Sequence, residues 1–136
     1  MTTADLQLRY PDAETFRFGD GPELCAQLLR LVRSGKKRAT CSSLATLEAP
    51  PVIGRCDIAL TWDGTPAVVI RTLELVTCTF ETLTEEMALM EGENDDLAGW
   101  RRDHEAFFRR AGVFAPDMPV LWERFEMVED LASEQM

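Results

Sequence analysis

Between Cys56 and Thr79 the chain reads as a β-hairpin, and no other stretch restricts the fold so tightly. Cys56 to Trp62 alternates as a strand. Asp63-Gly64 is a strong hairpin-turn signal, and Pro66 to Thr79 returns as a run rich in Val, Ile, Thr and Leu. Any fold for this chain must accommodate that pair.

The remaining elements alternate between helix and strand patterns. Asp20-Gly21-Pro22-Glu23 predicts a helix start, with Asp20 as cap, Pro22 in the first turn and Glu23 completing an acidic capping box. Leu24, Leu28, Leu31 and Val32 repeat at helical spacing, and Gly35 ends the helix in a left-handed conformation. From Ala39 to Leu47 the period changes: Ala39, Cys41, Ser43, Ala45 and Leu47 share one strand face, and Thr40, Ser42, Leu44 and Thr46 the other. Ala49-Pro50-Pro51 breaks that strand. Thr82 to Met90 predicts a short helix. Asp95 or Asp96 caps a longer one, whose apolar side is Leu97, Trp100, His104, Phe107, Phe108 and Ala111 and whose end is Gly112. Pro116 and Pro119 bracket the start of a last strand through Val120, Trp122, Arg124 and Phe125 to about Glu129, with Trp62 and Trp122 read as core strand residues. Residues 1–19 read as an irregular or partly extended lead-in, with Phe16 and Phe18 alternating as a short strand, and residues 131–136 as a frayed tail. Strands with helices inserted between them imply an α+β domain with a curled sheet, a single unit over residues 1–136 with its core at about 16–129.

Composition narrows the function. A chain of 136 residues, 46% hydrophobic and 28% charged, is long enough to bury a core without metal or disulfide staples. No apolar run is long enough to cross a bilayer and the first residues lack a secretory pattern, so a cytoplasmic location and no membrane partner are expected. Cys25, Cys41, Cys56 and Cys78 form no CxxC pair and the chain has one His, which argues against zinc and for reduced thiols. The acidic run Glu91 to Asp96 lacks the spacing of a calcium loop, so neither metal nor cofactor is expected. A net charge of −10 disfavours general nucleic-acid binding, because phosphate neutralisation supplies most non-specific affinity. The basic spot Lys36-Lys37-Arg38 suits a small ligand or a short nucleic-acid segment instead. The pairs Arg101-Arg102 and Arg109-Arg110 read as a solvated helix face.

Five segments in order carry a family resemblance: Phe18-Gly19-Asp20, Gly35-Lys36-Lys37-x-Ala39-Thr40, Glu91-Gly92-Glu93, Trp100-x-x-x-His104 and Asp117-Met118-Pro119-Val120. Together they resemble the ASCH domain family, in particular its compact single-domain bacterial branch, from about Phe16 to Glu129. The resemblance implies a PUA-like curled β-barrel with flanking helices, a cleft beside the barrel, and a link to RNA and nucleoside chemistry. One small bacterial branch hydrolyses the acetyl amide of N4-acetylcytidine with a Lys, a Thr and a Glu. Lys37 and Thr40 match the first two, and Glu91, just beyond Thr82-Leu83-Thr84-Glu85, matches the third. Another small ASCH protein resembles a ribonuclease. This chain departs from the amidohydrolase branch at Ser42, where that branch carries Arg. It has Arg38 where many relatives have Thr, and it adds a helical region from Trp100 to Gly112.

The implied chemistry needs a nucleophile, a base and an acid for the leaving amine. Thr40 is a nucleophile or a water-orienting hydroxyl. Lys37 either takes its proton, if desolvation disfavours the ammonium, or stays charged and stabilises an oxyanion. Glu91 shuttles the proton, with Glu93 as its rival. Gly35, Lys36, Arg38, Ser42, Glu93 and Arg124 are the expected ligand-binding residues around that trio, Arg124 either binding a ligand oxyanion or pairing with an acid. Lys37→Ala is expected to remove turnover while leaving the fold intact, since a loop-edge Lys contributes little packing. The expected partner is a small nucleoside-like ligand or a short RNA segment. The expected activity is removal of an acyl group from a modified nucleoside, with a non-catalytic RNA- or nucleotide-binding module and a ribonuclease as alternatives. Oligomeric state is left open.

Overall fold

The computed structural model describes residues 2–131. Its order is α1 (Thr3–Arg9), β1 (Thr15–Phe16), α2 (Pro22–Arg33), β2 (Ala39–Ser43), β3 (Cys56–Leu60), β4 (Pro66–Thr79), a 3-10 turn at Phe80–Thr82, α3 (Glu85–Met90), α4 (Leu97–Arg110) and β5 (Pro119–Asp130). The strands form one mixed sheet in the order β1-β3-β4-β5-β2, with β1 parallel to β3 and the other pairs antiparallel. Only α2 separates β1 from β2 along the chain, yet three strands lie between them and they stand at the two edges of one sheet.

The hairpin forms as expected and supplies the sheet's spine. Thr61 N–H donates to Thr65 O across the Asp63-Gly64 turn, and Gly64 adopts φ 95°, a conformation open to glycine. Along β4, alternate residues face opposite layers: Val68 and Ile70 meet Leu28, Leu29 and Val32 of α2, while Val69 packs with Leu6 of α1 and Leu131. Both faces are covered there, which is why the sequence from Ala67 to Ile70 runs apolar without a break. A third cluster joins Trp100 and Phe108 of α4 to Phe80, Val120 and Trp122. Register shifts between Val69 and Ile70 and between Thr72 and Glu74 bend β4 as it pairs with β5.

The expected barrel is not closed; the fold is α+β with an open five-stranded mixed sheet, and among the described residues no ladder joins β1 to β2. Thr15 and Phe16 of β1 and Thr40 to Ser43 of β2 instead face one cavity from opposite edges.

Several local expectations are corrected. The lead-in contains a helix, α1, capped by a reciprocal pair: Asp5 N–H donates to Thr2 Oγ1, and Thr2 N–H to Asp5 Oδ2. Asp20 does not cap α2; Gly21 holds that position without a side-chain bond, and Asp20 pairs with Arg110 at 2.8 Å. Strand β2 stops at Ser43 because the chain turns at Leu44 to Thr46. Trp62 lies at the hairpin turn and is 42% exposed, whereas Trp122 is buried. Leu131 belongs to the core, and the rest of the expected tail, residues 132–136, lies outside the described residues. All four cysteines are free thiols.

Candidate active site

Lys37 follows the glycine that ends α2. Gly35 has φ 80°, and Leu31 O accepts from both Lys36 N–H and Lys37 N–H at 3.0 Å, which closes the helix and turns the chain inward. Lys37 is consequently 1% exposed, not the solvated loop-edge residue the sequence suggests. Its Nζ donates to Glu93 Oε2 at 2.7 Å, Ala39 O at 2.8 Å and Glu91 O at 3.4 Å. Glu91 Oε1 stands 3.8 Å away, and the Phe18 ring centroid 5.9 Å. Every polar neighbour of Nζ is an acceptor, which matches the three N–H donors of an ammonium.

Gly92 makes that placement sterically feasible. It adopts φ 74°, and a Cβ there would lie 2.6 Å from the Lys36 carbonyl carbon and 2.9 Å from Lys37 Cα. The backbone of the Glu91-Gly92-Glu93 loop is therefore pressed directly on the Lys36–Lys37 peptide. Arg38 N–H donates to Met90 O at 2.9 Å and pins the two loops together.

Glu91 caps the end of α3 and is 1% exposed. Its Oε2 accepts from Trp100 Nε1 at 2.7 Å, and His104 Nε2 lies 3.3 Å from its Oε1. The His104 ring stacks on Trp100 at 4.2 Å between centroids, and its Nδ1–H donates to Trp100 O at 2.9 Å. Burial by itself would depress the imidazole. The hydrogen bond to Glu91 and the charges of Glu91 and Glu93 outweigh it and hold His104 above its ordinary value. Trp100 and His104 therefore both orient Glu91. The sequence shows them as part of an apolar helix side and of the family pattern, and their i, i+4 spacing puts them on one face, but it does not point them at Glu91.

Thr40 is half-buried on β2, and its hydroxyl makes no hydrogen bond among the described residues. It borders two adjoining cavities of about 290 and 300 Å³ that also share Gly19, Cys41 and Phe107. Glu91, Glu93, Asp103, His104 and Arg110 line the second; Ser42, Arg55, Asp57 and Glu123 line the first. Burial pushes the Cys41 thiol well up, with the Glu91 charge adding to it, so Cys41 is a poor nucleophile beside Thr40.

The expected residues divide. Thr40, Glu91, Glu93 and Ser42 face the cavities, and Lys37 stands directly behind Glu91 and Glu93. Gly35, Lys36, Arg38 and Arg124 line neither cavity. Lys36 and Arg38 point to solvent, and Arg124 Nε pairs with Glu74 Oε1 at 2.9 Å, the acid-pairing alternative. Arg101, Arg102 and Arg109 are exposed on α4, as a solvated face requires. One lining residue escapes sequence inspection: Glu123. Its carboxyl, 9% exposed, accepts from Thr72 Oγ1 at 2.7 Å, and burial raises it above the usual carboxylate range. Its neighbours at i±2, Leu121 and Phe125, are both buried, the one local sign that this acid faces inward.

Donor atoms of Glu91, Glu93 and His104 lie within 4.8 Å of one another, a spacing a divalent ion accepts. Lys37 Nζ already bonds Glu93 and stands beside Glu91, so an ion binding there would have to displace the ammonium.

An ASCH domain family model matches residues 14–129. Among solved structures, a DUF984-family protein of Enterococcus faecalis is 29% identical with a TM-score of 0.84, covering 97% of this chain and 88% of that one. An ASCH domain from Lactobacillus crispatus is 27% identical with a TM-score of 0.78, covering 93% and 86%. A mutant ASCH protein of Zymomonas mobilis, 9% identical with a TM-score of 0.54 over 77% and 68% of the two chains, shares the fold alone. No match is found among curated proteins.

Proposed function

The chain belongs to the ASCH domain family, and we propose that it is a small amidohydrolase that removes an acyl group from a modified nucleoside such as N4-acetylcytidine. One observation carries this reading. A hydroxyl without a protein partner, on Thr40, lines the same cavity as a buried carboxylate, Glu91, whose neighbours include a fixed ammonium and an imidazole. Those are the groups that amide hydrolysis requires.

In this scheme the acyl carbonyl lies against Thr40. The Thr40 hydroxyl attacks it or orients the attacking water, forming the new C–O bond. Glu91 accepts the proton released and delivers it to the exocyclic amine as the C–N bond breaks; where Thr40 itself has attacked, a water then hydrolyses the acyl-Thr40 ester, releasing the carboxylic acid and restoring the hydroxyl. Trp100 and His104 hold the carboxylate in one rotamer for that exchange. With three acceptors around Nζ, Lys37 serves as a fixed positive charge behind the reacting carbon, not as the base. In a water-poor site such a charge favours the developing oxyanion. Acidic groups outnumber basic ones along both cavities, and Arg55 and Arg110 are paired with Asp57 and Asp20. That balance favours a neutral nucleoside over a phosphate-bearing RNA segment.

The test is chromatography of cytidine released from N4-acetylcytidine by the wild type and by Thr40→Val, a change that breaks no hydrogen bond in the fold. Release by the wild type with a loss of about a hundredfold or more in the variant is expected. Absence of release by the folded wild type, or equal rates in both, would overturn the proposal.

A further inference from the structure

We propose that Glu123 is the specificity-determining residue of the cleft, presenting a neutral carboxyl that donates to an acceptor atom on the ligand's ring. The inference rests on the nucleoside reading above and names what part of the ligand is read.

Thr40 and Glu123 are direct cross-strand partners in the β2–β5 ladder. Residues so paired have side chains on the same sheet face, with Cβ atoms about 5 Å apart. The carboxyl therefore stands beside the reacting hydroxyl, in the cavity that both residues line. Its Oε2 is occupied by Thr72 Oγ1, and its other oxygen has no hydrogen-bond partner among the described residues.

Charge around Glu123 leaves it without a counter-ion. Arg55 is committed to Asp57, with Nε at 2.9 Å from Oδ1 and an NH2 nitrogen at 3.2 Å from Oδ2. Asp57 on β3 adds negative charge opposite Glu123, as does Glu14 along the wall by β1. Lys37, ahead of β2, spends its donors on Glu93 and two backbone carbonyls, and Arg17 bonds Trp62 O. An unpaired carboxylate in such a place is costly, and the group avoids the cost by holding a proton. With Thr72 donating to one oxygen, the proton sits on the other, which makes that oxygen an O–H donor. The complementary ligand group is a ring carbonyl oxygen or a pyridine-like nitrogen near the acylated nitrogen. An acylated pyrimidinone has such an edge; an acylated aliphatic amine has none.

Calorimetric titration with N4-acetylcytidine, repeated across pH, tests this without relying on turnover. Wild-type affinity should fall as Glu123 ionises, approaching tenfold per pH unit, while Glu123→Gln stays flat over the same range. Acylated aliphatic amines should bind neither protein. Wild-type binding with the same pH profile in both proteins would overturn the role of Glu123 and leave the amidohydrolase reading standing. No binding and no turnover by the wild type would sink both. Should Glu123→Gln fail to fold, carbon-detected NMR titration of the wild-type carboxyl decides the matter. Ligand must raise the ionisation midpoint of Glu123, and an unmoved midpoint refutes the proposal.

Discussion

Gly92→Ala tests the loop contact on which the whole site depends. Two costs add. At φ 74° an alanine bears the left-handed penalty of about 1–2 kcal/mol. Its Cβ also meets the Lys36–Lys37 backbone at 2.6 and 2.9 Å, and neither contact can be relieved by a side-chain rotation. Overpacking of that kind costs about 1–3 kcal/mol. The sum, about 2–5 kcal/mol, lowers the melting temperature of a domain this size by roughly 10 °C. Gly35→Ala is the control: φ there is 80°, but nothing lies within 4 Å of the added carbon, so only the first cost applies. Urea and thermal denaturation of both variants beside the wild type measure the difference directly. Equal destabilisation by the two substitutions would show that the Glu91-Gly92-Glu93 loop does not bear on the lysine segment, and the account of how Lys37 is held would fall.

Lys37→Met leaves Glu91 and Glu93 without their shared cation and should cost about 3–5 kcal/mol in urea denaturation, against the sequence-based expectation of a neutral change. Adding Glu93→Gln should recover part of that loss; simple additivity in the double variant would argue against direct pairing. His104 is held above its ordinary value of 6.5, so its contribution to stability is fully present below about that pH and is lost as pH rises through the higher folded value. The stability difference between wild type and His104→Gln should therefore shrink as pH rises above 6.5 and through the higher folded value, and a difference independent of pH would exclude a charged imidazole on Glu91.

Much of the fold is legible locally. The hairpin over β3 and β4, the Asp96 cap of α4 and the glycine stops at Gly35 and Gly112 follow from turn and cap chemistry that acts within a few residues. Helix α1 is harder to read. Its cap pair Thr2 and Asp5 is visible, but only Leu6 is buried along it, too little for a periodic stripe. Asp20 looks like a cap and is drawn off by Arg110 at the end of α4, a competition no local pattern reveals.

The site divides along the same line. Residue types and order determine that a lysine follows a helix-ending glycine, that a threonine opens the next strand, and that an acidic Gly-centred loop comes later. Only the tertiary structure decides that the loop's glycine lies on the lysine's own peptide, turning Lys37 from a solvated cation into a buried one. It also decides that Trp100 and His104 hold Glu91, and that Thr40 stands beside Glu123. Caps, turns and alternation are short-range effects written in neighbouring residues, whereas the partner of a buried charge is set by which distant backbones pack together.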